Sequence, residues 1–178
     1  MPGSMLGPYR SDLTKPLVIR RAGPTDAAAI ARVYVDSWRE SYRGQLPADY
    51  LANLSYEAFE RHWRRTFAAR GWGFVAAVDG EIVGIASGGR ARRQNLASGE
   101  IYVLYVLAER QGHGIGRGLF DACHFELAKR GHAGTLVWVL ASNPARRFYE
   151  HLGGKRVAEN TLAIGGTRVR EVGYLWRD

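Results

Sequence analysis

The sequence predicts a single α/β domain whose sheet is mixed, largely antiparallel and flanked by helices. Three observations carry this reading. A chain of 178 residues with 46% hydrophobic content suits one compact core and leaves no room for a second full-sized domain. Short β-branched runs alternate with stretches of helical period along its length. Asp79-Gly80 joins two apolar runs as a tight hairpin, which is the local mark of antiparallel pairing.

Residues 1–15 read as a flexible tail, because Met1 to Asp12 is rich in Gly, Pro and polar residues and has no apolar run long enough for a signal peptide or an anchor. The domain is expected over 16–178. Leu17-Val18-Ile19 opens it as a strand, and after Pro24-Thr25-Asp26 the spacing of Ile30, Val33, Trp38 and Tyr42 has helical period. Gly44 to Pro47 breaks that helix, and Tyr56, Phe59, Trp63 and Phe67 give a second apolar stripe. Phe74 to Val78 and Ile82 to Ala86 are the hairpin strands, followed by a polar loop from Arg90 to Gly99. Glu100 to Leu107, apolar on both faces, is expected to be a central strand. Leu119, Phe120, Cys123, Leu127 and Ala128 mark a helix ending near Gly131, and Thr135 to Leu140 is another buried strand. Asn143-Pro144 is expected to cap and start a short helix closed by Gly153-Gly154. Strands around Val157 and from Val172 to Trp176 flank a Gly165-Gly166 turn.

The formal charge is +8, which favours phosphate-bearing partners. The basic residues are spread along the chain, so no nucleic-acid partner is expected, and no membrane partner either. A lone cysteine, Cys123, excludes an internal disulfide, and the five histidines and that cysteine offer no zinc spacing, so no metal is expected. A cytoplasmic location follows from the same composition.

Gln111-Gly-His-Gly-Ile-Gly116-Arg117-Gly118 lies between the central strand and the next helix. Unpaired backbone N–H groups and the helix dipole bind anions at such a junction, and a phosphate belongs there. Glycines let the amides turn inward and let a bulky diphosphate approach the backbone. Arg110, Arg117 and His113 add positive charge. The dinucleotide pattern G-x-G-x-x-G fails in either register, with Arg117 and Leu119 where the last glycine would stand, and the Walker pattern lacks Gly-Lys-Ser/Thr.

Gln111-x-x-Gly114-x-Gly116 after the run Glu100 to Leu107, with Asn143-Pro-Ala-Arg-Arg-Phe148-Tyr149 downstream, resembles the GCN5-related N-acetyltransferases, over roughly Leu17 to Trp176. The resemblance implies an acetyl-CoA co-substrate whose pyrophosphate is wrapped by Gln111, Gly112, His113, Gly114, Ile115, Gly116 and Arg117. It implies a sheet splayed where the strand ending at Val106 and Leu107 parts from Leu136 to Leu140, so that pantetheine pairs with the exposed edge, and it makes Asn143 a contact of the pantetheine arm. Tyr149 matches the tyrosine that protonates the departing thiolate, and Glu100 matches the glutamate that takes the amine's proton, by way of water. A homodimer is common in the family, with Tyr174 and Trp176 expected near its interface. Arg146 and Arg147 are further candidates for the cofactor's phosphates.

For the acceptor, Trp38, Tyr42, Tyr50 and Leu51 correspond to the part of the fold that builds that side of the cleft. Ser37 to Gly44 with Leu46-Pro47 resembles bacterial members that include polyamine acetyltransferases, so a small-molecule amine is expected. Trp38, Tyr42 and the carboxylate of Glu40 are candidates to hold it, and core packing is the competing role for the two aromatics. A protein N-terminus, a lysine side chain, and a non-catalytic acyl-CoA sensor are the alternatives.

Overall fold

The computed structural model describes residues 16–93 and 95–177, so the tail expected over 1–15 lies outside the described residues. Among those described, the strands are β1 (Leu17–Arg21), β2 (Gly73–Val78), β3 (Glu81–Arg90), β4 (Gly99–Val106), β5 (Thr135–Leu140), β6 (Lys155–Ile164) and β7 (Thr167–Trp176). The helices are α1 (Ala27–Ser41), α2 (Ala48–Ala52), α3 (Tyr56–Ala68), α4 (Ile115–Lys129) and α5 (Arg146–His151). The seven strands form one sheet in the order β1-β2-β3-β4-β5-β7-β6. Every neighbouring pair is antiparallel except β4 and β5, which are parallel and joined through α4. The expected fold class is therefore the observed one.

Local chemistry explains the elements. Asp79 and Gly80 both take positive φ, 55° and 79°, the pair of left-handed residues that a two-residue hairpin needs between β2 and β3. Ser55 starts α3 by accepting the Ala58 N–H at 3.1 Å. Before α1, the Asp26 carboxylate takes the Gly23 N–H at 2.9 Å and the Arg20 guanidinium at 2.8 and 2.9 Å, fixing the turn into the helix.

Helices cover both faces. Tyr105 of β4 packs its ring 5.3 Å from Tyr34 on α1. Gly84 of β3 and the next β4 residue, Val106, face Leu119 of α4 on the opposite side. Ile85 and Leu119 are both 0% exposed, and burying such a side chain stabilises by roughly 1.5–3 kcal/mol.

Two expectations need correction. The helix at Asn143-Pro144 starts later: Asn143 to Ala145 form a turn, with the Arg146 N–H on the Asn143 carbonyl at 3.2 Å, and α5 begins at Arg146. The Asn143 side chain prefers the nearby Ala145 N–H, at 2.8 Å, and closes the turn before the helix can begin. β6 and β7 each run ten residues, longer than expected, because their pairing continues from Lys155 to Ile164 without a break in the ladder beyond one bulge. Tyr174 and Trp176 face the chain's own interior. Tyr174 is 1% exposed with its hydroxyl donating to Glu150 at 2.6 Å, and the Trp176 ring lies 4.6 Å from Phe120.

Candidate active site

β4 and β5 pair only from Gly99 to Ile101, against Thr135 to Val137, although β4 continues to Val106 and β5 to Leu140. β5 stays in register with β7 over its whole length, so the opening lies on its β4 side. The facing backbone groups of Tyr102 to Val106 and of Trp138 to Leu140 are left without ladder partners, and an extended ligand chain can take them up.

The glycine loop closes one end of this opening. Gly112 and Gly114 have φ of 80° and 79°, a conformation that an L side chain resists, and a Cβ at either would meet nothing within 4 Å, so the requirement is backbone shape. Gly114 is the N-cap of α4 and no side chain caps it, which leaves the first-turn amides at Ile115, Gly116 and Arg117 directed outward. Residues 111–114 are exposed, whereas the Ile115 side chain is 1% exposed and belongs to the core. Gln111 acts within the protein: its Nε2 donates to the Val106 carbonyl at 3.0 Å and ties the loop to the end of β4. Val106 and Leu107 are buried, so only their backbone is offered to a ligand. Arg117 is exposed and 3.8 Å from an equally exposed Asp121, a contact too weak to hold it.

Tyr149 packs on the α4 side of the sheet, its ring 5.2 Å from that of Phe148 and 6.1 Å from both Tyr174 and Trp176. Phe148 in turn fills the space that a Cβ on Gly116 would occupy, 3.3 Å away, so α5 seats directly on the glycine loop. The Tyr149 hydroxyl hydrogen-bonds to no described residue. Burial, and then the neighbouring Tyr42, push its pKa well above the usual phenol value.

Asn143 joins the two sides. Its Oδ1 accepts the Ala145 N–H, and its Nδ2 donates to the Tyr42 hydroxyl at 3.0 Å, across 101 residues of sequence. Tyr42 stands at the end of α1, near enough to Tyr149 for its hydroxyl to bear on that phenol's pKa. Trp38 and Tyr42 sit 5.0 Å apart in an edge contact, and the row continues through Tyr34, 5.8 Å from Trp38. Tyr42 is 4% exposed and packs with Leu46, Leu51 and Trp38, so both aromatics do serve as core. Glu40 is exposed on α1. Arg146 donates to the Ala141 carbonyl at 2.9 Å, while Arg147 is exposed.

Glu100 is 0% exposed and held by Arg92, whose Nε reaches Oε1 at 2.8 Å and whose backbone N–H reaches Oε2 at 2.9 Å; Arg92 Nη2 also contacts Oε1. It lies on the closed part of β4, opposite Leu136. The Arg92 side chain is 66% exposed. Arg92, Tyr34 and Tyr105 went unrecognised in the sequence; of these, Tyr34 could have been found, since it lies one helical turn before Trp38 on the same stripe.

A family model for the acetyltransferase (GNAT) domain matches residues 69–153, which span β2 through α5 and contain the opening and its loop. An uncharacterized N-acetyltransferase of Bacillus subtilis (strain 168), YuaI, is 38% identical over 163 residues, covering 91% of this chain and 94% of that relative. The chain belongs to the GCN5-related N-acetyltransferase family. It is accordingly an acyltransferase that draws on acetyl-CoA. Solved N-acetyltransferases share the fold. One from Staphylococcus aureus Mu50 superposes with a TM-score of 0.73 at 20% identity, over 91% of this chain and 98% of that one. The PaiA N-acetyltransferase of Thermoplasma acidophilum, solved in complex with coenzyme A, gives 0.66 at 20% identity, over 88% and 98%. Among the described residues of this N-acetyltransferase, no helix is long and apolar enough to cross a membrane.

Proposed function

We propose that this chain transfers the acetyl group of acetyl-CoA to the primary amine of a small molecule, with the amine attacking directly in the opening between β4 and β5. The observation that carries the reading is the meeting there of three features: unpartnered strand edges, an uncapped helix start with a glycine loop, and a free tyrosine hydroxyl. The residues fit the co-substrate. The amides at Ile115, Gly116 and Arg117 with those of Gln111 to Gly114 can bind a diphosphate, and the edges of β4 and β5 can take an extended amide-bearing arm. The second N–H of the Asn143 amide remains for that arm. When bound, acetyl-CoA supplies the activated acyl group.

Tyr149 keeps its proton throughout the working pH range and offers it to the departing sulfur. A phenol above pKa 10 loses to a thiol near 8.5 by about 2 kcal/mol or more in net transfer, so its work is a strong hydrogen bond to developing charge. Glu100 is the proposed proton acceptor, acting through water. Cytoplasmic placement accords with the single, buried Cys123.

Thiol release from acetyl-CoA with a panel of amines, amino acids and peptides tests this reading. Tyr149→Phe is expected to lower kcat on the order of 10²-fold with acetyl-CoA binding unchanged. Full activity in that variant would remove the role, and the absence of thiol release with every amine would remove the function.

A further inference from the structure

A second cavity, of about 300 Å³, lies on the α1 face, lined by Tyr34 of α1, Phe59 and Trp63 of α3, Ser87 of β3, and Tyr102 and Val103 of β4, with His62 and Thr66 at its side. Tyr102 and Val103 are the first β4 residues beyond the end of the β4–β5 ladder, so the cavity adjoins the place where the strands part. Tyr34 belongs to both: its ring is 4.4 Å from Phe59 in the cavity wall and 5.3 Å from Tyr105 on the path to Tyr42 and Tyr149.

We infer that this cavity is the acceptor's specificity pocket, and that it selects a primary amine carried on an aromatic body with a neutral hydrogen-bonding group, against polyamines. The inference rests on the acetyl-transfer function proposed above. The wall is largely aromatic, and burial keeps Tyr34 protonated by raising its pKa to about 12. Among the described residues no carboxylate lines it. The nearby Glu100 is already engaged by Arg92, whose guanidinium lies 5.5 Å over the Tyr102 ring at the rim. The second ammonium of a polyamine would therefore be buried beside a cation with no counter-charge, a cost that ring faces do not return. An aromatic body gains from the same wall by apolar burial and edge contacts. Ser87 of β3 supplies the polar element, a hydroxyl in the lining; Trp63 is 3% exposed and contributes its ring, its Nε1–H being enclosed with no acceptor among the described residues.

The test compares tyramine with spermidine and putrescine in the thiol-release assay. Tyramine is expected to exceed both in kcat/KM by at least tenfold. Ser87→Leu, which fills the cavity, is expected to lower kcat/KM for tyramine at least tenfold while acetyl-CoA still raises the melting temperature. Phe59→Ala, which removes a wall, serves if that variant does not fold, with the same expectation. Equal or faster turnover of spermidine would overturn the pocket's selectivity while leaving the transferase reading intact. If no amine is turned over, tyramine binding is read from tryptophan fluorescence: saturable quenching that disappears in Trp63→Phe keeps the pocket and removes the reaction, and no quenching removes the pocket.

Discussion

Glu100 and Tyr149 illustrate how one side chain's neighbours decide its chemistry. Tyr149 has burial and a free hydroxyl, which makes it a donor at any pH the enzyme meets. Glu100 is equally enclosed but clasped by Arg92 through both oxygens. If Glu100 accepts the amine's proton, Glu100→Gln should lower kcat/KM by roughly 10²-fold at neutral pH and by less as pH rises and free amine accumulates. Arg92→Ala should then retain activity. A uniform loss across pH, together with a lower melting temperature in both variants, would assign the pair to anchoring the segment after β3. Both residue types were readable from motif position. Arg92 was not, because it sits in a polar loop and only the return of β4 alongside β3 brings it to Glu100.

At the scale of elements, turns and caps were legible and the strand splay was not legible from periodicity. Asp79-Gly80 and the Gly112–Gly114 loop announce their backbone conformations by residue type alone. The parting of β4 from β5 leaves no local trace, since both strands read as continuous apolar runs and the gap is a relation between segments more than 30 residues apart. The turn into α1 gives a stability prediction. The Arg20 hydrogen bonds hold the Asp26 carboxyl below its ordinary pKa, aided by the Gly23 N–H, against an opposing push from burial. A group whose folded pKa is lowered stabilises the fold above its unfolded value and loses that contribution as pH falls through the folded one. Asp26→Asn is therefore expected to cost about 1 kcal/mol at neutral pH and to be nearly silent near about pH 2, as measured by denaturant unfolding at both. A constant difference at the two pH values would exclude the charge as its origin.

For the whole molecule, the +8 charge and a polyanionic co-substrate predict attraction that salt weakens. The KM for acetyl-CoA should rise by roughly fivefold between about 0.05 M and about 1 M NaCl, as the screening length shrinks from over ten to about three ångströms. kcat should change by less than about twofold, because the contacts near Tyr149 are short and enclosed. A KM independent of salt would mean that backbone amides alone carry the phosphates.

By itself the sequence determined the element order, the fold class and the glycine loop before α4, since helical and strand periods, turn glycines and loop composition are local properties of the chain. Resemblance added the splay, Tyr149 and Glu100. Only the tertiary structure decided that Asn143 gives one amide N–H to Tyr42, that Tyr174 turns inward, that Arg92 clasps Glu100, and that an aromatic cavity adjoins the opening. Each of these depends on which distant segments share a face of the sheet, and hydrogen-bond partners and burial are fixed only when those segments pack.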